Sequence, residues 1–435
     1  MGLRKLHQFR CYSISGVDLA PETILIRGAR QLLTLRGPKE PRRGAALQEL
    51  GIIHDGSLLI RGGVLQEVGP TRRVENLAEA RDAVEINAAG RVVMPGFVDS
   101  HTHLVFPLPG SPEDPETGGA SAVRASTGKR LESRARPHLE AMARHGTTTV
   151  EVKTGCGPDE AAETKLLRVL GELKRDSLDL HATVFFRLPA PDLRGGEFLR
   201  EAVQWFCGEF LPKVRKRRLA RIVDLAWDDD SEGRGEALCR CLAAARSLGF
   251  SCKIHAAGTS THSAIEAAIH YGAISIDHLE HAPLASAAML AQAPAVTTLL
   301  PGTTLLSGGP DAPARAFVDA GAAPALATNF NPFLNPMLNM QTAVSLACLR
   351  MGLTAAEAIS AATINGAYAL GHAAKTASLE FGKSADLVIL NIPDYREIAG
   401  HLGVNLVHLT MRRGQVIYKE GEVAPRSAHD ARRTW

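Results

Sequence analysis

From about residue 93 onward the chain repeats one unit, an apolar strand, a turn and an amphipathic helix, about eight times over roughly 280 residues. That alternation restricts the fold to a parallel sheet covered by helices. The strands are expected near Val93–Asp99, Thr147–Val152, Leu180–Phe186, Arg221–Trp227, Ser251–Ala256, Ile274–Leu279, Val296–Leu300 and Ala325–Asn329. Helical periodicity between them is clearest in "RPHLEAMARHG", "TKLLRVLGELKRD" and "RGEALCRCLAAARSLG", the first and third stopped by Gly146 and Gly249 as left-handed caps. An open doubly wound sheet is the rival architecture, but no strand is followed by G-x-G-x-x-G. Eight such units are what a (β/α)8 barrel of the TIM type requires.

The flanks have a different rhythm. Before the barrel come glycine-broken, strand-like pieces, "TILIRGARQLLTL", "GSLLIRGGVLQEVG" and "AVEINAAGRVVMPG". After it, two helices, expected at Met337–Arg350 and Thr354–Leu370, lead to further short strands in "KSADLVILN" and "LVHLTMRRGQVIYKEG". The two flanks are expected to combine, which divides the chain into 1–94 and 376–435 as the halves of a small β-sandwich domain and 95–375 as the barrel.

Composition excludes several classes. With 45% hydrophobic and 22% charged residues the chain reads as globular throughout most of its length. Net charge is only +3, and the one dense basic cluster, Lys213 to Arg221, lacks interleaved aromatics, so nucleic acid is not an expected partner. Seven cysteines without a C-x-x-C pair argue against a disulfide scaffold or a cysteine zinc knuckle and fit a reducing cytoplasm. No stretch approaches the ~20 apolar residues of a membrane span, and membrane insertion is not expected.

The histidines carry the chemistry. "MPGFVDSHTHLVF" ends the first barrel strand with His101 and His103, which share a face if the chain stays extended. Strand five ends in "KIHAAG" and strand six in "ISIDHLEH", which bring His255 and His278 to the same mouth of the barrel. An isolated H-x-H is often two loop histidines. Four histidines at three strand ends instead favour a site for zinc or iron.

These stretches, with "HGTTTVEVKTGCG", "LLPGTT", "LATNFNP", "INGAYALG" and "GKSADLVIL", resemble imidazolonepropionase, a family of the amidohydrolase superfamily. The resemblance runs from about residue 20 to about 420. It implies a (β/α)8 barrel with a β-sandwich built from both termini, one Zn or Fe ion, and hydrolysis of 4-imidazolone-5-propanoate to N-formimino-glutamate. It also implies that His101, His103 and His255 ligate the metal and that His278 holds the attacking water. Lys153, Cys156 and Asn331 fall at positions implied to shape the substrate pocket, with loop structure as the alternative role for Lys153 and Asn331. A homodimer is a family-level expectation.

The sequence departs from that family at the proton-handling groups. The family's aspartate ligand and base is Asn329, and its catalytic glutamate, three residues after His255, is Gly258. An amide cannot take a proton from water at neutral pH as a carboxylate does. The family's arginine after H-T-H is missing from "LVFPLPGSPED", the nearest later one being Arg124; its tyrosine is Cys156; and its histidine after strand three has no secure match in "FFRLPAPDL", where Arg187 stands nearby. Glu280, two residues beyond His278, is a substitute acid if the strand persists. The triple acid at Asp228 to Asp230 reads as a solvated turn. Three readings follow: a metal-dependent hydrolase of cyclic amides or amidines, a catalytically silent barrel that binds a ligand or partner, and an amidohydrolase-type deaminase, against which the loss of the strand-five acid counts.

Overall fold

The computed structural model describes residues 23–105, 117–174, 178–189, 196–228, 233–258 and 261–421. Most of "LVFPLPGSPED", and Asp229 and Asp230, lie outside the described residues.

Eight parallel strands run in sequential order around the barrel: β6 (Phe97–Asp99), β7 (Thr147–Lys153), β8 (Asp179–Arg187), β9 (Ile222–Ala226), β10 (Ser251–Ala256), β11 (Ser275–His278), β12 (Val296–Leu299) and β13 (Pro324–Leu326). Hydrogen bonding beyond the strand ends joins the first to the last. Thr102 bridges Phe330, and the His103 amide donates to the Phe330 carbonyl at 2.7 Å. Asp99 adds a side-chain clasp, accepting from the Thr328 amide at 3.0 Å and its hydroxyl at 2.6 Å.

Strict alternation explains what each strand offers. In β7, Val150 and Val152 pack under the surrounding helices, while Glu151 and Lys153 point the other way and are fully buried inside the barrel. In β10, Cys252 and Ile254 face the helices. Lys253 and His255 therefore share the inner face, and the register pairs Lys253 with Asp224 and His255 with Asp277.

The flanking segments form a second sheet, ordered β16-β15-β14-β5-β1-β2-β3 with β4 beside β1. Here β1 is Thr23–Leu33, β2 Ile52–Arg61, β3 Val64–Pro70, β4 Val84–Asn87 and β5 Val92–Pro95, while β14 (Leu387–Leu390), β15 (Val407–Arg412) and β16 (Gln415–Lys419) come from beyond the barrel. N- and C-terminal strands thus share one apolar core, with Ile26, Leu58 and Val93 packed among Leu387, Ile389 and Met411. The expected helix from Thr354 to Leu370 is interrupted: Ala355–Ser360 is followed by a π turn at Ala361–Asn365, then Gly366–Ala369. Gly366 explains the close approach there, since a Cβ would meet the Val98 carbonyl at 2.9 Å.

Candidate active site

The four histidines meet at the C-terminal mouth of the barrel. Ring centroids of His101 lie 5.4 Å from His103, 5.2 Å from His255 and 5.2 Å from His278, and those of His255 and His278 lie 4.1 Å apart. Ligand atoms of His101, His255 and His278 all fall within 4.8 Å of one another. His103 stands at the side of this trio with its ring against Phe185, which also packs on His255.

His101 donates through Nδ1 to Asp277 Oδ2 at 2.6 Å, which leaves Nε2 as its lone-pair nitrogen. That atom, His255 Nδ1 and His278 Nε2 are buried without a protein hydrogen-bond partner. Buried polar atoms are almost always paired, so unpaired nitrogens on three clustered histidines fit a site built for a cation and for a proton-handling group beside it. Burial drives the basicity of His101, His103 and His255 well down, reinforced by the Lys153 ammonium for the first two and by His278 for the third. The neutral imidazole is the form that ligates a metal.

Beneath the histidines is a layer of buried ions. Lys153 pairs with Asp224 and lies 3.3 Å from both Glu151 and Asp277. Lys253 lies 2.8 Å from Glu151 and from Asp277, and donates to the Ser100 carbonyl at 2.7 Å. None of these side chains reaches solvent. Burial opposes ionisation of Lys153, but Asp224, Glu151 and Asp277 outweigh it and hold the ammonium charged. Burial likewise opposes the Asp277 carboxylate, and Lys253, Lys153 and His101 hold it far below the usual range. This layer is not among the sites expected from the sequence, although "VEVK", "IVDLA", "SCKIHA" and "SIDH" each place a charged residue inside a barrel strand. Lys153, expected at the substrate, places its ammonium in this layer.

The other expected site residues occupy distinct places. Asn329 takes a left-handed backbone (φ +53°) and donates from Nδ2 to Thr303 Oγ1 at 2.9 Å. Asn331 uses its Oδ1 within its own loop, accepting from the Phe333 and Leu334 amides at 3.0 and 3.2 Å. Cys156 is buried, with its amide held by Glu163 Oε1 at 2.5 Å and its thiol pushed up mainly by burial. Arg187 pairs with Asp228 at 3.3 Å, its guanidinium 5.9 Å from the Phe185 ring centroid. Glu280, though past the end of β11, accepts from His278 Nδ1 at 3.2 Å. A second cluster, Asp179 with His181, His372 and Arg412, lies at the opposite end of β8, where it ties the barrel to β15.

The chain matches the profile of the amidohydrolase family over residues 92–417. Imidazolonepropionase of Deinococcus radiodurans is 38% identical over 400 residues, 88% of this chain and 96% of that protein, and the Symbiobacterium thermophilum enzyme of the same name is 37% identical over 94% of this chain and 100% of its own length. The chain belongs to the amidohydrolase family, in its imidazolonepropionase branch. It is therefore a hydrolase of carbon–nitrogen bonds in cyclic amides, from a metal-dependent family, and nothing in these likenesses favours the silent-barrel alternative. Solved structures agree on the fold: a triazine hydrolase variant superposes with a TM-score of 0.69 at 20% identity, over 92% of this chain and 95% of that one. Escherichia coli guanine deaminase gives 0.66 at 16%, over 91% and 99%. Among the described residues no helix is long and apolar enough to cross a membrane.

Proposed function

We propose that this amidohydrolase opens a five-membered cyclic amide of the imidazolone type, with 4-imidazolone-5-propanoate as the parent substrate. The observation that carries the reading is the clustering of His101, His255 and His278 at the barrel mouth, each with a buried, unpartnered nitrogen, and His103 beside them. His101, His103 and His255 would hold one Zn or Fe ion. When bound, that ion polarises the ring carbonyl and makes water a stronger nucleophile at neutral pH.

The rest falls to this chain's own residues. Water adds to the ring carbonyl carbon, the carbon–nitrogen bond breaks, and the departing nitrogen takes a proton. His278 Nε2, unpartnered in a ring packed beside those of His101 and His255, is the atom to take the proton from water and return it to that nitrogen. Asn329 is anchored through its amide nitrogen on Thr303, so its carbonyl end is what it can offer as a weak ligand. Lys153 acts from within the ion layer, holding Asp277 charged so that His101 keeps its ligating tautomer. Cys156 and Asn331 shape the rim, Asn331 through the turn it closes. The same reading takes a small molecule as partner, the cytoplasm as compartment and a homodimer as assembly.

Elemental analysis of protein purified without chelator or added metal tests the centre. About one equivalent of Zn or Fe, lost in His101→Ala/His103→Ala, supports the reading when turnover of imidazolone propionate disappears with it. A folded protein free of metal that hydrolyses no cyclic amide overturns it.

A further inference from the structure

We infer that Glu280 is the positioning residue for His278, and that it returns to this site, one bond removed, the carboxylate that the chain lacks at residues 258 and 329. The inference rests on the reading of His278 as the proton-handling group. It starts from the backbone. β11 ends at His278, and His278 and Leu279 both take positive φ, +79° and +78°. Such angles are unfavourable for any residue with a Cβ and rare for one as bulky as leucine. Two in succession persist only where surrounding contacts demand them.

Leu279 anchors the curl in the apolar core, with no exposed surface. The curl brings the Glu280 carboxylate onto the imidazole two residues before it: Oε2 accepts from His278 Nδ1 at 3.2 Å, and both side chains are only 8% exposed. Glu280 Oε1 is buried with no protein partner, so the acid is not consumed by a structural network. The other ring nitrogen, Nε2, is buried without a protein hydrogen-bond partner, in a ring whose centroid lies 4.1 Å from that of His255 and 5.2 Å from that of His101.

A carboxylate on Nδ1–H fixes the tautomer in which Nε2 carries the lone pair, and it fixes the plane of the ring. Without it either nitrogen can carry the proton, and the ring loses the contact that aims it. No carboxylate at 258 or 329 is available to do this, and no glycine is present at 278 or 279 to make the curl easy. The strained turn, the buried unpaired oxygen and the free Nε2 have one joint use, which is to hold His278 in register with the other histidines.

The test compares Glu280→Ala and Glu280→Gln in the metal-loaded full chain. The alanine variant should lose about 10- to 100-fold in kcat, the range seen when a group supporting a functional histidine is removed, with KM, metal content and thermal midpoint close to wild type. The glutamine variant, whose amide oxygen still accepts from Nδ1–H, should recover part of that loss. Nitrogen-15 spectra of the imidazoles, with His278 assigned by a His278→Asn variant, should show Nδ1–H in wild type and a mixture in Glu280→Ala. Wild-type kcat in the alanine variant overturns the inference. Should the wild type open no cyclic amide, the functional reading fails, and retention of pure Nδ1–H in Glu280→Ala then decides against this inference separately.

Discussion

The carbonyl of Asp228 occupies the position at which a Cβ on residue 258 would sit, and the Asp228 Cα and carbonyl carbon crowd the same point. Gly258 is therefore required by a backbone-to-backbone approach between the ends of β9 and β10, and its φ is not in the left-handed region. Putting the family's glutamate there cannot restore a general base unless the β9 loop is displaced. Gly258→Glu should leave turnover no higher than wild type, and Gly258→Ala alone should cost about 1–3 kcal/mol, the usual penalty for overpacking. Urea denaturation read alongside turnover checks both; a stable, faster Gly258→Glu enzyme would refute the packing account.

Position 329 behaves differently. Aspartate tolerates the left-handed backbone that Asn329 adopts (φ +53°) nearly as well as asparagine does. Asn329→Asp should fold normally, and a carboxylate beside three neutral imidazoles should tighten metal retention by about tenfold or more. Competition against a graded chelator series measures this. Equal retention by both proteins would mean that residue 329 does not face the ion.

The ion layer is a harder test of the fold. Removing one partner from a buried charge network leaves the others uncompensated, at a cost of about 3–5 kcal/mol. Lys253, within 2.8 Å of Glu151 and Asp277, is the cation to remove. Lys253→Met should lower the unfolding free energy read from urea titration by that margin and also weaken metal binding, because Asp277 orients His101. A loss below about 1 kcal/mol would show that water or a proton compensates the site.

These outcomes bear on what the sequence could disclose. Strand-to-strand spacing placed His101, His103, His255 and His278 at one mouth because a period of two and eight repeats leave little freedom. The ion layer was visible only in part: the alternate charges of "VEVK" and "SCKIHA" can be read one strand at a time, but the pairing of Lys253 with Glu151 depends on closure of the barrel. Nothing local announces the obstruction at Gly258, which comes from a loop 30 residues earlier. Nor does a sequence of His, Leu and Glu signal two positive φ angles. The spacing rule that put Glu280 on the face of His278 assumed a continuing strand; the strand ends, and the curl that replaces it produces the contact.

Glu163 offers a pH test outside the histidine cluster. It lies on the helix Glu160–Leu173, and its Oε1 accepts from the Gly155 and Cys156 amides at 3.1 and 2.5 Å, fixing the loop after β7. Burial pushes its carboxyl up to about 7, against the opposing effect of hydrogen bonds from Thr154 and those two amides. In the unfolded chain the same group releases its proton near pH 4.3. Between those values the folded state binds more protons than the unfolded one, so the stability owed to this group falls as pH rises from about 4.3 to about 7, and is level on either side. Glu163→Gln keeps an acceptor oxygen for the loop but cannot titrate. The stability of wild type relative to the variant should therefore decline steadily across that window and level off above it, in urea titrations at half-unit steps of pH. A difference that is constant from pH 5 upward would mean that Glu163 ionises as an ordinary exposed acid and that its burial is relieved by water.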